Sequence, residues 1–115
     1  GGGNILRGTA LDEATVELAG ATLGTTGHPL RAGQVSAVSV RQHSITLHAT
    51  PPGMLGNVLP ATVTRQVSLG ASRDYTVSLA DGAEIRVTAP AEQAIASGAQ
   101  VWLHLPAEHC RALAG

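Results

Sequence analysis

The sequence predicts an all-β domain, a small barrel of two related halves closed by a short C-terminal helix. Three observations carry that expectation. The first is internal similarity: Gly3-Asn4-Ile5-Leu6-Arg7-Gly8-Thr9-Ala10 is echoed by Gly56-Asn57-Val58-Leu59-Pro60-Ala61-Thr62-Val63, and a repeat decides how elements stack and where the core lies. The second is composition. Phe is absent and Tyr75 and Trp102 are the only aromatics, so Val, Leu, Ile and Ala must fill the core, which favours strands. The third is a series of short alternating segments between Gly and Pro turns, the pattern of a barrel or sandwich and not of a parallel α/β sheet.

The echo extends along the chain. Thr15-Val16-Glu17-Leu18 is answered by Thr76-Val77-Ser78-Leu79, and Leu23 by Ile85. Leu30-Arg31-Ala32-Gly33 leads into the alternation 35–40 much as Ile95-Ala96-Ser97-Gly98 leads into 101–105. The halves are read as residues 3–48 and 56–113 of one domain, 1–115, and the breaker cluster Thr50-Pro51-Pro52-Gly53 is the seam between them.

Taken in order, strands are expected at 5–10, 15–18, 35–40 and 45–48, then at 58–69. Gly70-Ala71-Ser72 returns the chain into a strand at 73–80, and Asp81-Gly82 reads as a two-residue hairpin turn, because both residues tolerate the positive φ such a turn requires. The arms alternate. Tyr75, Val77, Leu79, Ile85 and Val87 form one face, and Thr76, Ser78, Glu84, Arg86 and Thr88 the other, so one side is buried and one is wet. Pro90 ends the last arm, 91–96 suits one or two helical turns stopped at Gly98, a strand follows at 101–105, and a short helix is expected at 107–113 after Pro106. A closed barrel of such strands removes exposed edges, and an OB-like barrel fits best.

Composition excludes several functions. At 115 residues with 43% apolar content, the chain supports one core of ordinary size. Net charge is −1 and the seven Arg are scattered, which argues against a phosphate-backbone partner, and two aromatics are too few for a stacking groove. No apolar run approaches the roughly 20 residues of a membrane span, and the N-terminus lacks a signal-peptide pattern. A single cysteine, Cys110, fits a reducing compartment. Lys is absent, so a P-loop, whose Lys reaches the terminal phosphates, cannot occur in this segment. The opening Gly1-Gly2-Gly3 carries no initiator Met, and the chain is expected to be the C-terminal part of something longer.

The ordered set Gly56-Asn57-Val58-Leu59-Pro60-Ala61-Thr62-Val63, Leu69-Gly70, Tyr75-Thr76-Val77, Asp81-Gly82, Pro90, Gly98 and Val101-Trp102-Leu103-His104-Leu105-Pro106 resembles the TOBE domain, the transport-associated OB-like domain at the C-terminus of ATP-binding subunits of ABC importers. Gly3 to Leu6 and Val38-Ser39-Val40-Arg41 resemble the same family, which commonly continues with Pro-Glu where this chain has Gln42-His43. The resemblance implies an accessory, regulatory and dimer-contact domain in solute import. It implies no enzyme activity or cofactor in this segment, with ATP and Mg bound by the parent's ATPase domain. The implied partners are that ATPase domain, a second copy of the parent and the transporter's membrane subunits, with no nucleic acid. The implied location is cytoplasmic, against the inner face of the membrane.

The alternative is a free-standing oxyanion-binding barrel, since related small barrels bind molybdate. Arg41, Asn57, Ser72 and Arg73 are its candidate ligands, because guanidinium and amide donors suit tetrahedral anions. The same residues also suit structural roles, Arg41 at a strand end, Asn4 and Asn57 fixing turns, and Ser72 and Arg73 lining a hairpin. His104, His109 and Cys110 are the closest metal-type group among the five His and the Cys, but their spacing lacks the paired ligands of structural zinc. Trp102, on the strand that buries Val101, Leu103 and Leu105, is read either as a partner contact or as a cover of the barrel end near Leu113. Cys110 has no base or third group with which to form a nucleophilic site.

Overall fold

Each half of the chain is a meander that then hands its last strand to the other half. The computed structural model describes residues 3–53 and 57–113; Gly56, which opens the second copy of the repeated motif, lies outside them. The first half runs β1 (Gly3–Asp12), β2 (Thr15–Leu18), β3 (Ala21–Gly24), β4 (Thr26–Gly27), β5 (Val35–Arg41), a 3-10 turn (Gln42–Ser44) and β6 (Thr46–His48). The second runs β7 (Val58–Ser68), β8 (Ser72–Ser78), β9 (Glu84–Pro90), β10 (Gln100–His104), a 3-10 turn (Ala107–His109) and β11 (Arg111–Ala112). Among the described residues the strands form two sheets, ordered β3-β2-β1-β5-β11-β4 and β6-β10-β7-β8-β9.

Apart from β4, which extends the edge of the first, these orders are the same order written twice. Matching Asn4 to Asn57 matches β1 to β7, β2 to β8, β3 to β9 and β5 to β10, with the 3-10 turns also equivalent. Then β6, from the first half, pairs with β10, while β11, from the second, pairs with β5. The fold is all-β and OB-like, as the strand pattern predicts, and neither half completes its sheet alone.

Local bonding repeats too. Ala10 accepts the Gly33 N–H at 2.7 Å and donates to the Gln34 carbonyl at 2.8 Å; Val63 accepts from Gly98 at 2.7 Å and donates to Ala99 at 2.9 Å. Both glycines have positive φ, 85° and 90°, which a side chain rarely adopts. Register shifts follow at the same points, between Ala10 and Asp12 and between Val63 and Arg65, and bulges of this kind bend and twist a strand.

One apolar cluster joins the inner faces of both sheets, including Leu6, Leu23, Val38, Val40, Leu59, Val77, Ile85 and Leu103. The alternation read along the hairpin holds, since Tyr75, Val77, Leu79, Ile85 and Val87 are all buried. Its loop is one residue longer than the predicted turn. Leu79 donates to Ala83, enclosing Ala80, Asp81 and Gly82, with Gly82 at φ 86°, and the Asp81 carboxylate accepts the Ala83 N–H at 2.9 Å.

Two expected helices do not form. Across 91–96 the backbone is captured by side chains: the Tyr75 hydroxyl donates to the Gln93 carbonyl and accepts the Ile95 N–H, and Gln66 donates to the Ile95 carbonyl. Groups that a helix would pair internally already have partners. At 107–113 helix is limited to one 3-10 turn, after which Cys110 and Ala112 are buried and Arg111 is exposed. That burial has period two, so the terminus continues as β11, with Leu113 donating to the Ala37 carbonyl at 3.0 Å. Strands β3, β4 and β11 are additions to the sequence reading. Among the described residues no helix is long and apolar enough to cross a membrane.

Candidate functional site

The repeated asparagines form a reciprocal clamp between the halves. Asn4 donates through Nδ2 to the Arg86 carbonyl at 2.8 Å and accepts the Arg86 N–H on Oδ1 at 2.9 Å. Asn57 makes the same pair with Gly24, donating at 3.0 Å and accepting at 2.7 Å. Gly24 on β3 and Arg86 on β9 are equivalent edge positions, so each side-chain amide substitutes for a strand partner. Asn57 also donates to the Leu105 carbonyl at 2.8 Å and to Cys110 Sγ at 3.7 Å. Its φ of 53° lies in the left-handed region, where asparagine is enriched among non-glycine residues.

This places the four oxyanion candidates. Asn57 is buried with its amide fully engaged in the clamp. Arg73 donates to the Ala91 carbonyl and to the Gln66 side chain, each at 3.2 Å, and Ser72 pairs with Pro90 on the neighbouring strand. Arg41 alone of the four lines the polar cleft described next, so they do not form a single constellation.

The polar cleft, of about 210 Å³, lies where the two 3-10 turns meet. Arg41 reaches it from the end of β5, Arg111 from β11, His109 and Ser44 from the turns, with Ser39, Thr26 and Glu108 completing it. The register sets Arg111 against Ser39. Sequence reasoning named Arg41 but missed Arg111, because 107–113 reads as helix and nothing local shows that it returns beside β5.

The other singled-out residues fall elsewhere. Trp102 stands half-buried between His48 and Pro60 in the five-stranded sheet and lines an apolar cleft of about 250 Å³ with Pro60, Leu79 and Gln100. Leu113 bonds to the opposite sheet at Ala37. His48 is hydrogen-bonded to Thr46 at 2.9 Å, and Thr46 pairs with half-buried His104. No group of three or more His, Cys, Asp or Glu converges at metal-binding geometry among the described residues. Burial pushes the Cys110 thiol up to about 11, outweighing the Asn57 hydrogen bond that lowers it. It is therefore a protonated core residue at neutral pH.

Residues 38–113 match the TOBE domain family. The chain belongs to it. The match takes in the end of β5, β6, and all of β7 to β11, so it spans the exchanged strands of both halves. This TOBE domain has no match among curated protein sequences. Among solved structures it is similar to the cytoplasmic molybdate-binding protein ModG in a form with molybdate bound, with a TM-score of 0.80 and 19% identity over 95% of this chain and 94% of that one. At that identity the likeness concerns the fold.

Proposed function

We propose that this TOBE domain is the accessory and dimer-contact module of an ABC importer's ATP-binding subunit. Membership of the family across residues 38–113 carries the reading. The geometry suits it, because the most distinctive polar residues, Asn4 and Asn57, are occupied in holding two sheets as one body. A body clamped at two equivalent points transmits position, which is what a spacer between moving ATPase domains requires. In this reading ATP and Mg are bound and hydrolysed by an ATPase domain of the same parent, and the module meets the membrane subunits only through that parent at the cytoplasmic face. Catalysis and nucleic-acid binding are no part of its work. The gene sequence encoding residues upstream of Gly1 tests the proposal. A Walker-type ATPase core is expected there; its absence overturns the reading.

A second reading is supported by the cleft of Arg41, Arg111 and His109 and by the fold shared with ModG, a molybdate-binding protein. Two guanidiniums and hydroxyls from Ser39 and Ser44 form a donor set for a tetrahedral oxyanion, although Glu108 opposes it and the Thr26 hydroxyl donates to the Cys110 carbonyl. Calorimetry with molybdate, tungstate, sulfate and phosphate decides. Heat that disappears in Arg41→Ala supports this second role, and no heat with any of the four removes it.

A further inference from the structure

The hairpin of β7 and β8 departs from the repeat. In the first half, β1 and β2 pair no further than Asp12 with Thr15 before the chain turns. The equivalent pair in the second half is Arg65 with Thr76, yet β7 and β8 go on through Gln66 with Tyr75, Val67 with Asp74 and Ser68 with Arg73. With β9 alongside, the outer face of this extension forms rows across three strands. Arg65, Thr76 and Arg86 make one row, and Val67, Asp74 and Thr88 the next. A cleft of about 210 Å³ opens over them, lined by Arg65, Val67, Asp74, Tyr75, Thr76 and Arg86.

Two strand spacings set the Arg65 and Arg86 backbones about 10 Å apart, one on either side of Thr76. Both arginines are exposed, and Thr76 and Asp74 are half-buried. Among the described residues neither guanidinium enters a side-chain hydrogen bond, in contrast to that of Arg73, which is held by Ala91 and Gln66. Arg86 is fixed by its backbone instead, through the Asn4 clamp. Asp74 accepts the Thr88 hydroxyl on Oδ1 at 2.9 Å, which orients the carboxylate, and no described residue donates to its Oδ2. Glu84 lies one row further along β9, outside the cleft. The lining therefore presents two positive charges, one negative charge and the apolar Val67. The fold does not demand this set, since the first half has Asp12 and Gly24 where the second has Arg65 and Arg86.

We infer that this cleft binds a free α-amino acid through its zwitterionic head. The ligand's carboxylate lies over Thr76 and accepts from the Arg65 and Arg86 guanidiniums, the donors best matched to a planar carboxylate. Its ammonium donates to Asp74 Oδ2, and an aliphatic side chain lies against Val67. Other small ligands match the lining less well. A dianion such as phosphate meets Asp74 with like charge, and a simple carboxylate leaves Asp74 without a partner, so discrimination comes from the repulsive group as well as the attractive ones. The site is separate from the cleft of Arg41 and Arg111, which belongs to the other sheet, and it does not depend on the accessory-domain reading. Solvent screens each of these contacts, so the affinity is about millimolar.

Titration of the 115-residue chain with L-alanine, followed by amide chemical shifts to about twenty times a millimolar Kd, tests this. Saturable shifts are expected at the Asp74, Thr76 and Arg86 amides. Propionate, ethylamine and inorganic phosphate should each bind there about threefold more weakly or worse, because each lacks one half of the pairing or adds a repulsion. Arg65→Gln and Arg86→Gln should each weaken L-alanine about fivefold, with unchanged melting midpoints, since both side chains are exposed and the Asn4 clamp uses only the Arg86 backbone. Asp74→Asn, which keeps an acceptor for Thr88, should make L-alanine and propionate bind alike. No saturable shift at these amides, equal binding of propionate or phosphate by the unaltered chain, or an affinity indifferent to both arginine substitutions overturns the assignment. Each of these results leaves the accessory-domain reading to the upstream gene sequence.

Discussion

Asn57 concentrates more structural consequence than any other polar residue in the chain. Its amide satisfies both backbone groups of Gly24 and the carbonyl of Leu105, and its left-handed backbone turns the chain into β7. Removing one partner of a buried hydrogen bond leaves the other unsatisfied at about 1–3 kcal/mol. Asn57→Ala is expected to destabilise by ~3 kcal/mol, while Asn4→Ala, which lacks the contacts to Leu105 and Cys110, is expected to lose about half as much. Urea denaturation checks the ranking. Similar losses in the two variants would show that the additional bonds of Asn57 contribute nothing. Cys110 gives a second residue-scale expectation. Its thiol is raised from 9.0 to about 11 in the folded state, so the unfolded chain releases its proton first. Stability is full below pH 9 and is lost as pH rises from there through the folded value. Melting midpoints of the chain and Cys110→Ala, followed from pH 8 to 11, should converge as the native protein loses that advantage.

At the scale of elements, the segment after β9 shows how a side chain can override a local preference. Ala91, Ala94 and Ala96 favour helix, yet the Tyr75 hydroxyl and Gln66 hold the Gln93 and Ile95 backbone groups in place. Gln93 in turn donates through its side chain to the Leu47 carbonyl at 2.8 Å. Tyr75→Phe keeps the buried ring and removes only the hydroxyl. It is expected to cost ~1–2 kcal/mol and to raise amide exchange at Ile95 above that of β8. An unchanged exchange rate there would mean that Gln66 and the turn suffice to hold the segment. The terminal strand β11 follows the same logic, because partners from the other half, Val38 and Ser39 on β5, decide its form.

At the scale of the whole molecule, the exchange of β6 and β11 makes the two halves interdependent. Each completes the other's sheet, and the paired asparagines tie β1 to β9 and the start of β7 to β3. A chain cut between residues 50 and 56 should therefore migrate as one particle under native conditions and separate only in denaturant. Each half expressed alone should fail to give the dispersed β-sheet amide spectrum of a folded monomer. A folded, monomeric first half would show that its own strands suffice and that the exchanged strands are peripheral.

Much of this architecture was legible in the chain itself. The doubled Asn motif, the Thr-Val pairs at 15–16 and 76–77 and the glycines at 33 and 98 identify equivalent positions, because a repeated backbone path needs the same turn residues and the same inward side chains. Strand faces followed from alternation, which depends only on backbone period. The use made of Asn4 and Asn57 could not be read, since their partners Arg86 and Gly24 lie far away in sequence and bond through backbone atoms that carry no residue-specific signal. Nor could the meeting of Arg41 with Arg111, which depends on where the last strand inserts. The sequence by itself determined an all-β chain of two similar halves with a Val- and Leu-rich interior. Only the tertiary structure decided that those halves exchange strands, because hydrogen-bond pairing between distant strands is set by which edges are left open once both meanders have formed.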